Sequence, residues 1–192
     1  TLGKRKLAEI ILVDRSRTHV WKPLLHEVAA GVINKASNGV DYRMHAAHHH
    51  YQFQLGNMSY IDRDNQSIYR DPLYDEDGLE ILPERTVEYD YLVMAIGSVT
   101  NDFGTLGVTE HCYCLDSLIQ AERFHRALLN QLLKINQEGV TKKKIHVAIV
   151  GAGATGTELA AQLHHVSNLA RAYGMPEMSA DKLQVSILEA GP

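Results

Sequence analysis

The sequence predicts an α/β fold built on parallel β-sheets, and three observations support this prediction. Continuous apolar stretches at residues 8–13, 91–96 and 145–150 have the composition of strands in a parallel sheet. Segments with helical spacing of apolar residues alternate with these stretches, as a parallel sheet requires. A glycine-rich turn at residues 151–156 joins the last stretch to a predicted helix.

Composition narrows the class of protein. The chain has 192 residues, of which 45% are hydrophobic and 22% charged, as is usual for a soluble globular protein. Its net charge of -4 argues against a nucleic-acid partner, because such binding needs a basic surface. Two cysteines are too few for a disulfide scaffold, and no apolar stretch is long enough to cross a bilayer. We expect a soluble intracellular protein, and the absence of an initial Met predicts a segment of a longer chain.

The first half of the chain contains one predicted helix and several strands. Residues 8–13 form a strand that ends on Asp14, and residues 23–30 form a short helix with Pro near its first turn. The histidine-rich residues 45–50 are interpreted as polar residues that lead into an alternating strand at 51–55. Three further short strands are predicted at residues 58–62, 67–69 and 86–88. We expect these three strands to form an antiparallel β-meander.

The second half is a long helix followed by a strand–turn–helix–strand unit. Ser117 and Gln120 have the spacing of a capping box, in which each side chain binds the other residue's backbone N–H. Apolar residues then recur at helical spacing as far as Ile135, which predicts a long amphipathic helix. Residues 145–150 and 183–188 are predicted strands on either side of the helix that follows the glycine-rich turn.

The glycine-rich turn has the GxGxxG pattern of dinucleotide-binding proteins, in the strand-to-helix context that the pattern requires. Gly151 allows the tight turn, Gly153 lets the backbone approach a pyrophosphate, and Gly156 lets the helix pack against the sheet. The N-terminus of that helix adds N–H donors and the positive end of its dipole. A glycine-rich turn without a ligand remains the alternative on this pattern alone.

Glu189 ends the strand after this helix, where the pattern places an acid that binds a ribose. A carboxylate there favours NADH over NADPH, since it would repel a 2′-phosphate. The acid comes 33 positions after Gly156, whereas the usual distance is about 20. We attribute the extra length to a longer helix and a surface loop at residues 173–180.

Asp14 ends the first strand in a similar way, at the position where the adenosine ribose of a second dinucleotide would lie. No GxGxxG pattern precedes it in the sequence. A helix cap or a turn residue is therefore an equal alternative for Asp14 on physical grounds.

Three stretches of the chain resemble the type II NADH:quinone oxidoreductases and the wider superfamily of flavoproteins that bind two dinucleotides. Residues 14–31 resemble the segment after the second strand of these oxidoreductases. Residues 86–97 resemble the second flavin-domain motif of the superfamily, and residues 151–158 resemble the NADH fingerprint of the same enzymes. The resemblance covers nearly the whole chain in the right order.

The resemblance implies Rossmann-like parallel sheets, with an FAD domain interrupted by an NADH domain. Residues 1–107 would be a partial FAD-binding domain that lacks its first strand. Residues 108–143 would be a linker and a connecting helix, and residues 144–192 the first half of the NADH-binding domain. The first strand with its glycine loop, the late flavin motif and the quinone site of the family are missing from the sequence. We therefore expect this segment alone to be inactive.

The resemblance also implies which residues would bind FAD. Asp14, with Arg15 beside it, would hold the adenosine ribose. Lys22 and Pro23 would lie beside the isoalloxazine ring, and Met58 would flank the adenine. Three more residues would run along the cofactor, and these are Ala95, Ile96 and Gly97.

The NADH site and the chemistry follow from the same resemblance. Gly151, Gly153, Gly156 and Glu189 would bind NADH, and Glu158 would be the catalytic residue, near the flavin–nicotinamide contact. Glu158 would position the substrate or handle a proton. An acid placed only to favour the helix dipole is the structural alternative for Glu158.

The implied activity is transfer of hydride from NADH to FAD and of electrons onward to a quinone, without charge movement across a membrane. The full-length protein would be cytoplasmic, peripheral on the inner face of the cell membrane through parts outside this sequence, and could be a homodimer. The alternatives are an NADH-dependent ferredoxin-type reductase, a sulfide:quinone reductase and a non-catalytic nucleotide-binding redox sensor.

Two groups of residues are set aside. His45 and His49 would share a face if they were helical, but no Cys or acid stands at ligand spacing beside them, so no metal is predicted. Cys112 and Cys114 are expected to be free thiols. The absence of cysteine from residues 21–31, beside the expected flavin, argues against a disulfide reductase.

Overall fold

The computed structural model describes residues 2–33, 39–138, 144–172 and 182–191, and these residues form an α/β structure. The loop predicted at residues 173–180 lies outside the described residues. The chain divides into two compact units, Thr1–His19 with Gly39–Gly97, and Val20–Asn38 with Ser98–Pro192. The units describe packing and not cofactor binding, so the domain boundaries given above stay a prediction.

Both helices and strands occur along the described part of the chain. They are α1 (Leu2–Arg5), β1 (Ile11–Asp14), β2 (Thr18–Val20), a 3-10 helix (Lys22–Leu24), α2 (Leu25–Ala30), β3 (Gly39–Asp41), α3 (Tyr42–His49), β4 (Gln52–Leu55), β5 (Met58–Asp62), β6 (Ser67–Arg70), β7 (Leu73–Tyr74), β8 (Glu80–Leu82), β9 (Arg85–Glu88), α4 (Val108–His111), α5 (Leu118–Glu138), β10 (Ile145–Val150), α6 (Ala154–Ala172) and β11 (Leu183–Leu188). No helix in these described ranges is both long enough and apolar enough to cross a membrane.

The first unit combines a parallel strand pair with antiparallel strands. β1 and β4 run parallel, with Ile11 opposite Gln52 and Asp14 opposite Leu55. β5, β6 and β9 form a three-stranded antiparallel sheet in that order, which confirms the predicted meander. β7 and β8 form a further antiparallel pair. The α/β class with parallel and antiparallel parts is therefore confirmed.

The strand predicted at residues 91–96 does not form, and that prediction is wrong. The side chains of Tyr91, Val93 and Ile96 are 94%, 83% and 79% exposed. A parallel strand is stable only when neighbouring strands accept and donate its backbone hydrogen bonds. None of the described strands pairs with this segment, so its apolar composition is not sufficient to make it a strand.

The histidine-rich residues, for which the sequence predicts no secondary structure, belong to helix α3, with His50 as its C-cap ahead of β4. Asp41 caps this helix, and its side chain accepts a hydrogen bond from the Met44 N–H at 2.9 Å. His45 and His49 lie one turn apart, and their rings stack with centroids 4.0 Å apart. A polar surface helix of this length shows too little hydrophobic periodicity for its pattern to be recognised.

The described residues of the second unit form an apolar core between the β10–β11 pair and three helices. β10 and β11 run parallel, from Ile145 opposite Leu183 to Val150 opposite Leu188, with the bounds that the sequence predicts. Helix α2 packs against both α5 and α6. The buried residues of this core are Leu25, Val28, Ala29, Ala121, Leu128, Leu132, Ile135, Ile149, Leu159, Ala160, Leu163 and Leu183.

Helix α5 begins with the predicted capping box. The Ser117 hydroxyl accepts from the Gln120 N–H at 3.3 Å, and the Gln120 side-chain oxygen accepts from the Ser117 N–H at 3.1 Å. Both orphan donors at the helix start are therefore satisfied by side chains. The capping box thus correctly indicates where α5 begins.

Strand β10 is covered on one face only among the described residues. Ile145, Val147 and Ile149 pack toward the core, whereas His146, Ala148 and Val150 are exposed. This alternation is typical of a sheet with one solvated face. The continuous apolar composition of residues 145–150 alone would suggest burial on both faces.

The helix predicted at residues 23–30 consists of the 3-10 helix followed by α2. Gly31 ends α2 with a φ of 79°, which a residue with a side chain rarely adopts. A Cβ at Gly31 would lie 2.2 Å from Cε1 of His125 on α5. The glycine therefore lets α2 approach α5 closely, and it fixes α2 against the core.

Candidate functional site

The turn between β10 and α6 has the geometry that the glycine pattern predicts. Gly151 has a φ of +106°, which favours glycine, and its N–H donates to the Leu188 carbonyl at 2.8 Å. The chain therefore leaves β10 while still bonded to β11 and turns directly into α6. The Thr157 N–H bonds the Gly153 carbonyl at 3.0 Å, so helical hydrogen bonding starts within the turn.

The other two glycines differ in what surrounds them. A Cβ at Gly156 would lie 2.0 Å from the Gly151 carbonyl oxygen and 3.2 Å from Cγ2 of Ile149, so only glycine allows α6 to pack on β10. A Cβ at Gly153 would meet nothing within 4 Å. Gly156 is thus required by the fold, whereas the space beside Gly153 is open to a ligand.

Glu189 lies next to this turn because β11 runs parallel to β10. Its Oε2 accepts a hydrogen bond from the Ala152 N–H at 2.7 Å, and its Oε1 accepts from the Ala190 N–H at 2.8 Å. Backbone hydrogen bonds, that of Ala152 first, lower the pKa of the Glu189 carboxyl below its usual value. The side chain is therefore an ionised acceptor at the mouth of the turn.

A dinucleotide is compatible with these residues. The turn offers open space at Gly153, a helix N-terminus with its positive dipole end, and a carboxylate within hydrogen-bond distance of the turn. A diphosphate needs the first two features, and ribose hydroxyls need the third. The residue-by-residue assignment of Gly151, Gly153, Gly156 and Glu189 to NADH remains a prediction.

Glu158 lies on α6, two residues after the last glycine of the turn. Its side chain is 53% exposed, and its Oε2 is 3.3 Å from Nδ1 of the buried His26 on α2. His26 stands among apolar residues in the predicted helix at 23–30, and this placement is the sequence signal that could have indicated a buried polar contact. No motif in the sequence predicts a role for His26.

The Lys22–Pro23 turn is the 3-10 helix that leads into α2. The Lys22 ammonium donates to the backbone carbonyl of Ser98, the residue that follows Gly97 in the chain. This bond ties the lysine side chain down, although the residue itself is exposed.

Asp14 ends β1 with both carboxylate oxygens engaged. Oδ1 accepts from the Ser16 N–H at 2.8 Å, and Oδ2 accepts from the Tyr42 hydroxyl at 3.0 Å. Burial, and then the Asp14 charge, raises the pKa of Tyr42 to about 12, so the hydroxyl remains a donor. Tyr42 also stacks on Phe53, with ring centroids 5.0 Å apart. No sequence pattern indicates the role of Tyr42.

The other predicted flavin residues belong to the first unit, as Asp14 does. Arg15 is exposed, and Met58 begins β5 opposite Arg70. The remaining three residues lie in the segment that forms no strand, and all of them are exposed, namely Ala95, Ile96 and Gly97. The assignment of these residues to FAD stays a prediction.

The family is decided by the chain as a whole. Residues 1–192 match the protein family described as "Pyridine nucleotide-disulphide oxidoreductase". The chain belongs to this family. It contains no cysteine in residues 21–31, and Cys112 and Cys114 are free thiols, exposed and half-buried respectively.

Named oxidoreductases from other organisms have sequences similar to that of this chain. It is 41% identical to the type II NADH:quinone oxidoreductase of Haemophilus influenzae over 99% of this chain and 46% of that protein. It is 32% identical to external alternative NAD(P)H-ubiquinone oxidoreductase B1, mitochondrial, of Arabidopsis thaliana, over 81% of this chain and 28% of that protein. These similarities confirm the resemblance found in the sequence. The chain spans less than half the length of these relatives.

Solved structures share the fold. NDH2 from Plasmodium falciparum in complex with NADH superposes with a TM-score of 0.79, at 22% identity over 97% of this chain and 38% of that chain. The sulfide:quinone oxidoreductase of Aquifex aeolicus superposes with a TM-score of 0.71, at 18% identity over 100% of this chain and 39% of that chain. Both likenesses confirm the α/β fold class.

Proposed function

We propose that the complete protein containing this chain is an FAD-dependent enzyme that oxidises NADH and passes electrons to a quinone without moving charge across a membrane. The observation that carries this proposal is the open space at Gly153 with the Glu189 carboxylate beside the turn. Relatives named as NADH or NAD(P)H:quinone oxidoreductases support the same activity.

The chain's own residues would bind and orient the dinucleotide. Backbone N–H groups of the turn would donate to the diphosphate, and the α6 dipole would stabilise its negative charge. Glu189 would accept hydrogen bonds from the ribose and would repel the 2′-phosphate of NADPH. Glu158, on the exposed side of α6, would position the substrate or handle a proton.

FAD would be held by the residues assigned above, with Asp14 and Arg15 at the adenosine ribose and Lys22 and Pro23 beside the ring. When bound, FAD supplies the hydride-accepting chemistry. Asp14 is suited to the ribose because Tyr42 and the Ser16 N–H fix the carboxylate while leaving lone pairs on both oxygens. The domain boundaries at 1–107, 108–143 and 144–192 belong to this proposal.

The proposal also covers location and assembly. The full-length protein would associate with the inner face of the cell membrane through parts outside this chain, and it could act as a homodimer. The net charge of -4 argues against a nucleic-acid partner. The absence of cysteine from residues 21–31 favours reduction of a quinone over reduction of a disulfide.

The test uses the full-length protein with FAD bound. NADH should bleach the flavin absorbance rapidly, and a water-soluble quinone should restore it. Restoration by ferredoxin alone would support a ferredoxin-type reductase, and binding of NADH without bleaching would support a nucleotide sensor. Either of these two results would overturn the proposed activity.

A further inference from the structure

His26 is a buried histidine that lies against the predicted catalytic residue Glu158. It is 7% exposed, and its Nδ1 is 3.3 Å from Glu158 Oε2. The two atoms are within ion-pair distance, but their alignment falls short of a hydrogen bond. A buried imidazole nitrogen needs a polar partner, and Glu158 is the carboxylate within reach of Nδ1.

The core fixes the position of His26. Its neighbours Leu25 and Ala29 are 2% and 0% exposed, and α2 packs against two other helices. A Cβ at Gly31 would overlap the His125 ring, so α2 and α5 are closely packed at this point. The packing of α2 therefore restricts the positions that the imidazole can take.

Glu158 is the more exposed partner of this pair. Its side chain is 53% exposed, whereas that of His26 is 8% exposed. An exposed glutamate samples many rotamers unless a neighbour restrains it, and a buried ring on a packed helix does not. A contact between the two would therefore restrict the rotamers of Glu158 more than those of His26.

The second ring nitrogen has a different neighbour. Nε2 of His26 is 3.9 Å from Oε1 of Glu27, the next residue on α2. Each ring nitrogen therefore lies near one acid, and Nδ1 is the nitrogen that contacts Glu158. This asymmetry allows the two contacts to be separated by substitution.

We propose that His26 is a positioning residue that holds the Glu158 carboxylate in one orientation near the start of α6. The inference rests on the proposed function, because that function places NADH at the adjacent glycine turn. Loss of His26 should slow turnover by freeing Glu158. It should leave the binding of dinucleotide to the turn unchanged, since neither residue belongs to the turn.

The test is a double-mutant cycle in the full-length holoenzyme, with kcat measured for NADH oxidation by a water-soluble quinone. His26→Leu and Glu158→Gln should each lower kcat about tenfold, and the double variant about tenfold rather than about a hundredfold, because residues that act as a unit are not additive. The KM for NADH and the calorimetric Kd for NAD+ should stay within about twofold. A hundredfold loss in the double variant would overturn the proposal.

Conservative variants separate positioning from a structural role. His26→Asn places an amide N–H near the position of Nδ1 and should retain kcat, whereas His26→Gln reaches the position of Nε2 and should not. This pair carries the test if the leucine variant does not fold. Equal activity of the Asn and Gln variants would contradict the proposal.

Glu27→Gln is the matched control, since it alters the acid at Nε2 and should leave kcat unchanged. A loss equal to that of His26→Leu would show that Glu27 is the working partner, which overturns the proposal. Gly153→Val separates the proposed function from the positioning role of His26. Unchanged NAD+ affinity in that variant contradicts the proposed function, whereas weakened affinity with an additive cycle contradicts only the role of His26.

Discussion

Within the described residues, the parallel pairs β1–β4 and β10–β11 each have an acid at the end of one strand, and the surroundings of the two acids differ. Glu189 follows β11, and its carboxylate bonds the N–H of Ala152 in the glycine turn of the neighbouring strand. Asp14 ends β1, and its carboxylate bonds the Tyr42 hydroxyl and a nearby backbone N–H. A ribose-binding role can be argued from an acid's local geometry when the paired strand carries the turn. Where the paired strand carries no such turn, as at Asp14, the role is inferred from the resemblance to the family.

The largest expected effect comes from filling the turn beside Glu189. Gly156→Ala places a Cβ 2.0 Å from the Gly151 carbonyl oxygen, so α6 must shift away from β10. We expect the free energy of unfolding to fall by about 3 kcal/mol, as measured by urea denaturation of the full-length protein. Gly153→Ala is the control and should unfold like the wild type, because its Cβ meets nothing. Equal stability of the two variants would contradict the geometry of the turn.

Substitutions of the two acids should affect different cofactors. Glu189→Ala should raise the KM for NADH about tenfold, because a charge-assisted hydrogen bond to the ribose is lost, and it should reduce the preference for NADH over NADPH. Asp14→Ala should instead lower the FAD content of the purified protein and leave the NAD+ affinity of the turn unchanged. Steady-state kinetics and flavin absorbance measure the two effects. If both variants changed the same cofactor, the distinction between the acids would be wrong.

The smallest effect concerns the hydroxyl beside Asp14. Tyr42→Phe removes a hydrogen bond to a carboxylate and should cost about 1 kcal/mol of unfolding free energy near neutral pH. The folded protein keeps the Tyr42 proton up to a pKa of about 12, whereas the unfolded chain loses it near 10.0. Wild-type stability should therefore fall as pH rises from 10 to 12 relative to the phenylalanine variant. Parallel pH curves for both proteins would contradict the assignment of this shift to Tyr42.

Local signals in the sequence predict the glycine turn and its flanking elements well. The bounds of β10 and β11 match the predicted residues because each apolar run is limited by polar or glycine residues. The start of α5 matches because Ser117 and Gln120 bind each other's backbone within one helical turn. The open space at Gly153 and the crowding at Gly156 agree with the roles that the spacing predicts.

Features that depend on distant contacts could not be predicted in the same way. Residues 91–96 have a strand composition, but a strand forms only if another strand pairs with it. The contacts of His26 with Glu158 and of Tyr42 with Asp14 join residues far apart in the sequence, and packing decides them. These contacts add detail to the candidate site that residue spacing does not contain.

The most direct test of the central claim is a crystal structure of the full-length protein with NAD+. We expect diphosphate oxygens within about 3 Å of backbone N–H groups in the turn after Val150. We also expect the Glu189 carboxylate to accept hydrogen bonds from the ribose in place of the Ala152 N–H. A diphosphate bound elsewhere, with side chains filling the space beside Gly153, would contradict the account.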